Sequence, residues 1–183
     1  MKASSAVLVL LSAAAGITAS AAADWPPPVP PMIPGALGFV PIPGAAVAPD
    51  SSHVYKVIFD TTRAAAKPEL PADGILFAAT DLSALRGQGV APADTRFALI
   101  FHGRAIDAIL DNGHYHAKFG VDNPNLAMLA GLKKAGAEIF VCGQSLAATG
   151  IDPAVLSPDV TVASEAFIVL ITYQNNGYAV LQF

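Results

Sequence analysis

Cys142 is the single cysteine of a 183-residue chain, and its neighbours suggest sulfur chemistry. The apolar run at residues 137–141, Ala-Glu-Ile-Phe-Val, reads as a strand that ends at this cysteine. Gly143, Gln144, Ser145 and Leu146 follow, with helix formers after the glycine. A thiol between a strand end and a first helical turn faces unpaired backbone N–H groups, and these stabilise a thiolate. Open α/β sheets take their ligands at that same rim. Gly143 and Gln144 are the residues expected to offer amides to the sulfur. A lone thiol can equally be a buried filler or the partner of a second chain, so all three roles stand open at this point.

The remaining candidates are histidines. His102 closes the apolar run 96–101 just before Gly103, which puts it on the same rim if that run is a parallel strand. An imidazole there could take the thiol proton or stabilise the thiolate, or it could simply anchor the loop through its ring nitrogens. His114 and His116 flank Tyr115, and on an extended segment the two rings would share one face. With His102 or Cys142 they make a weak candidate for zinc or copper, since no fourth ligand has suitable spacing. The run Gly-Gln-Ser-Leu-Ala at 143–147 is close to a nucleophile elbow. That fold needs its histidine after the serine, and none follows His116. No glycine-rich phosphate or dinucleotide motif occurs, so no cofactor is expected.

The amino-terminal residues form an export signal. Lys2 provides the positive start, residues 6–15 an apolar core, and residues 20–23 small residues suited to cleavage before Asp24. The apolar stretch is too short for a bilayer span, so no membrane anchor is expected. A periplasmic or secreted domain of residues 53–183 is then large enough for one core. The formal net charge is −4 and no basic run occurs, which disfavours nucleic-acid binding. Residues 24–52 carry nine prolines, among them Pro26, Pro30 and Pro49, and read as an extended tail. Its apolar residues Leu37, Phe39, Val40 and Ile42 suit either a spacer or a segment laid across a subunit.

Strands are expected at 53–60, 96–101, 137–141, 159–163 and 178–183 from their β-branched and aromatic runs. Helices are expected from residue 71 to Gly87, at 105–110, from Asn123 to Gly136, and at 144–149. Residues 164–175 could extend as a strand, but Ser164 and Glu165 suit a helix start and Asn176-Gly177 a helix end. Strands alternating with helices, apolar on both faces, give a mostly parallel sheet of about five strands with helices on both sides.

The pieces Phe-Ala-Leu-Ile-Phe-His-Gly-Arg-Ala at 97–105, Asn-Pro-Asn at 123–125 and Val-Cys-Gly-Gln-Ser-Leu at 141–146 occur in the order seen in the DsrE-like sulfur-relay family. Residues 53–183 resemble that family throughout, with further matches at 54–61 and 177–181. The resemblance implies a homo-oligomer, a trimer or hexamer, in which the Cys142 position carries sulfur as a persulfide. It assigns no role to His102, which is proposed from position alone. The expected function is thus an exported persulfide carrier that takes sulfur from a small sulfane-sulfur compound and passes it to a partner thiol or sulfur anion. The alternative is a non-catalytic oligomeric protein binding a small ligand or metal.

Overall fold

The computed structural model describes residues 24–183. The export signal expected at residues 1–23 lies outside the described residues. Five strands form one sheet: β1 (Tyr55–Thr61), β2 (Thr95–Phe101), β3 (Glu138–Cys142), β4 (Thr161–Ala163) and β5 (Ala179–Gln182). Their order across the sheet is β4-β3-β2-β1-β5, and every neighbouring pair is parallel.

Connection handedness explains where the helices lie. From β1 to β2 to β3 the chain steps in one direction, so right-handed crossovers put α1 (Asp73–Gly87) and α3 (Leu126–Lys134) on one face. The long return from β4 to β5 runs the other way and places α5 (Ala166–Asn175) on the opposite face. Alternating side chains serve the two layers. Phe59, Phe97, Leu99, Phe101, Ile139 and Val141 pack with Ile75, Leu82, Leu129 and Leu132 on the first face. Ile58, Ala98, Ile100 and Cys142 pack with Ala166 and Leu170 on the second. The apolar stretch 167–171 is helical, as its flanking residues indicate.

Two local expectations are corrected. Residues 112–119 are neither a helix stop nor an extended loop but a helix, α2 (Asn112–Phe119). Asp111 caps it by accepting the His114 backbone N–H at 2.8 Å, so Asn112 and Gly113 form a first turn. Asn123 does not cap α3, which begins at Leu126. Its side-chain amide instead donates to the carbonyls of Ala108 and Leu110 at 3.1 and 2.7 Å, tying together the loops above the sheet. The short segment after β2, Gly103–Ile109, is a 3₁₀ helix.

The proline-rich tail is seated on its own domain. Val29 and Phe39 form an antiparallel bridge, and the Leu37 N–H donates to Thr80 on α1 at 3.1 Å. Ile33, at the turn of this strap, is 2% exposed and joins the first core. Glycine makes the seat: a Cβ on Gly131 of α3 would lie 2.6 Å from Ile33 Cγ2, and one on Gly87 of α1 would lie 2.8 Å from the Phe39 ring. Ile33→Ala is expected to cost about 2–4 kcal/mol, because the side chain is fully buried against α3. Denaturant unfolding measures it, and an unchanged midpoint would show that the strap does not hold there.

Candidate functional site

Three adjacent strands deliver the candidate residues to one rim. β1 ends Asp60-Thr61, β2 runs into His102 and β3 ends at Cys142, all at carboxyl termini of parallel strands. His102 stays extended, and its N–H donates to the Thr61 carbonyl at 3.1 Å, prolonging the β1–β2 ladder by one residue. Gly103 then turns the chain away with φ of 59°, a conformation that strains any residue with a Cβ.

Cys142 occupies the point where the connections diverge. The helix after β3, α4 (Gly143–Thr149), sends Leu146 into the first core, while the helix after β4 covers the second face. Ligand crevices of parallel sheets form at such a divide. The Cys142 residue is 4% exposed, and its Sγ accepts the Ala166 N–H, from the first residue of α5, at 3.3 Å. Burial pushes the thiol pKa up. Hydrogen bonds from the Ser145 side chain and from the backbone N–H groups of Ser145, Ala166 and Gln144 outweigh it, and the thiol lies below its ordinary value.

The Gln144 N–H is thus among the groups that lower the thiol, whereas Gly143 contributes differently. A Cβ there would lie 2.8 Å from the Ala163 carbonyl oxygen. Its lack of a side chain lets β3 and α4 approach the β4–α5 connection, which carries the Ala166 N–H.

His102 and Cys142 line one cavity of about 210 Å³, together with Gln144, Ser145, Glu165 and Phe167. The His102 ring meets Phe167 edge-on at 6.1 Å between centroids. Its Nε2 lies 2.7 Å from Asp60 Oδ1, and Gln182 of β5 donates to Asp60 Oδ2 at 3.2 Å. Larger depressions exist, one of about 550 Å³ beside the strap, but that one is lined by Met32, Ile33, Pro34, Arg86, Lys134 and small residues, with no thiol, hydroxyl or imidazole among them.

His114 and His116 do not join this rim. Two positions apart on a helix differ by roughly 200° in direction, so the rings do not share a face. Each pairs instead with a carboxylate, His114 with Asp111 at 2.8 Å and His116 with Asp122 at 3.1 Å. Among the described residues, no group of three or more histidine, cysteine or acidic side chains is arranged to hold a metal ion. Sequence reasoning missed Asp60, Gln182, Ser145 and Ala166. Asp60 left a signal, an acid following the apolar run Val57-Ile58-Phe59.

A five-stranded parallel sheet covered on both faces, with a thiol at the carboxyl end of its third strand, defines a small α/β domain of the open-sheet class. Residues 56–183 match the DsrE/DsrF-like family, and the chain belongs to it. Among solved structures the fold is similar to that of MTH1491, a protein of unknown function from Methanobacterium thermoautotrophicum. The two are 16% identical with a TM-score of 0.50, over 70% of this chain and 99% of that one. Among curated proteins none matches the chain.

Proposed function

We propose that the chain is an exported sulfur carrier that holds sulfane sulfur as a persulfide on Cys142. The observation that supports this most is the setting of the sulfur, which accepts the Ala166 N–H inside a cavity shared with His102. Membership of the DsrE/DsrF-like family agrees with sulfur-relay work, and residues 1–23 support export.

The step is a displacement at sulfur. The Cys142 thiolate attacks the outer sulfur of a hydropersulfide donor, R–S–SH, forming a new S–S bond as the old one breaks. The proton lost from Cys142 is taken up by His102 and returned to the departing R–S⁻, so Cys–SH and R–S–SH become Cys–S–SH and R–SH. No net oxidation occurs and no cofactor is required. Delivery is the same displacement with an acceptor thiol attacking the bound sulfur. Intact-mass analysis of reduced protein after exposure to a hydropersulfide tests this: the carrier gains one sulfur atom, removable by reductant.

The second reading, an oligomeric protein that binds a small ligand without chemistry, is favoured by the 4% exposure of Cys142. A thiol that alkylates only after denaturation would decide for it.

Assembly belongs to both readings. Helix α5 turns Phe167, Ile168 and Ile171 outward, each more than half exposed, and no charged side chain occurs between Ala166 and Asn175. Apolar surface of this kind marks contact sites, and among the described residues no helix is long and apolar enough to cross a membrane. A trimer or hexamer through this face is expected by light scattering. Ile168→Lys, which places a charge in the patch, is expected to shift the particle to monomer. A wild-type chain that is monomeric at micromolar concentration would overturn the assembly.

A further inference from the structure

Asp60 is a buried carboxylate at the rim that the transfer step above does not use, and its position is costly. The residue is 6% exposed and lies in β1 beside the central strand. A buried carboxylate must be fully bonded to be tolerated. Here both oxygens are engaged, Oδ1 with His102 Nε2 at 2.7 Å and Oδ2 with the Gln182 amide at 3.2 Å. The His102 side chain is 19% exposed, and among the described residues its Nδ1 has no hydrogen-bond partner.

A carboxylate only accepts hydrogen bonds, so the nitrogen facing it must carry the proton. We propose that Asp60 is a positioning residue that locks His102 in the Nε2–H tautomer. Nδ1 is then the nitrogen that exchanges the proton of Cys142, and Gln182 steadies the carboxylate from β5. This rests on the carrier reading for its chemistry, though not for its geometry. In the displacement, the proton leaving Sγ goes to Nδ1, the Nε2–H remains on Asp60, and the imidazolium so formed is stabilised by the carboxylate until it protonates the departing thiolate. The titratable groups around the ring are Asp60 behind it, and Cys142 and Glu165 in the shared cavity.

Asp60→Asn preserves shape but lets an amide N–H face Nε2, inviting the opposite tautomer. The rate of Cys142 alkylation by iodoacetamide at neutral pH is expected to fall roughly 10- to 100-fold, at or below the low end of a general base's contribution because the ring itself is kept, and its pH profile to move upward. In a His102→Ala background the same substitution is expected to leave the rate as it was, because Asp60 acts through the ring. Nitrogen-15 NMR of the wild-type imidazole needs no variant, and it should show Nε2 protonated in the neutral ring. A protonated Nδ1, or an equal effect of Asp60→Asn with and without His102, would overturn the assignment. A wild-type protein with the Nε2–H tautomer but no sulfur adduct would support the positioning role and overturn the carrier.

Discussion

Cys142→Ser is expected to abolish sulfur loading completely while leaving the fold intact. The chain has no other thiol, so no second residue can take the sulfur. Serine keeps an acceptor near the Ala166 N–H, and the position packs within the second core mostly against small and aliphatic side chains, so the melting temperature should change little. The wild-type protein, incubated with a hydropersulfide, should show the mass of one added sulfur atom, and the variant none. An adduct that persisted in Cys142→Ser would place the sulfur elsewhere and remove the thiol from the mechanism.

Gly143→Ala carries the second large effect, because it acts on the thiol through sterics alone. The added methyl would meet the Ala163 carbonyl at 2.8 Å, a backbone atom that cannot swing aside like a side chain. The β4–α5 connection must move, and the Ala166 N–H moves with it. A hydrogen bond to a charged group is worth about 1.5–3 kcal/mol, which corresponds to roughly one to two pK units. The alkylation profile of Cys142 should therefore shift upward by that amount. The sign for stability follows from the same shift. The thiolate is favoured in the folded protein, so its contribution is full above the ordinary thiol pKa and is lost as pH falls through the lowered one. Wild type should gain stability with rising pH across that window, and Gly143→Ala should gain less. Coincident alkylation profiles for the two proteins would show that the close approach at Gly143 does not tune the sulfur.

Much of this rim was readable in the residues, for physical reasons. The runs before His102 and Cys142 are almost wholly apolar because central parallel strands are buried on both faces, and such runs announce themselves. Each stops where a glycine lets the chain leave the sheet, which located His102 and Cys142 at strand ends. Asp60 was not legible as a partner because its meaning depends on register: only β1–β2 pairing sets its carboxylate beside the ring that follows β2. Gln182 was still less so, since β5 reaches β1 through a crossover spanning the whole sheet. Helix α2 was hidden by Asn112-Gly113, which reads as a stop until Asp111 is seen capping the turn they begin. The seat of the strap is not legible in composition: proline dictates an extended path but says nothing about Gly131 and Gly87, which open the surface that Ile33 and Phe39 fill.

The depth of Cys142 also sets what can exchange with it. Displacement at a disulfide requires three sulfur atoms close to a line, with the bulk of the leaving group beyond the second. At the bottom of a cavity of about 210 Å³ walled by Phe167 and His102, a slender hydropersulfide can reach that alignment. A folded protein's disulfide, or a bulky mixed disulfide, cannot bring its bond into line without displacing α5. On the proposed carrier reading the cavity therefore acts as a size filter, admitting donors of single sulfur atoms and holding larger oxidants away from the thiol.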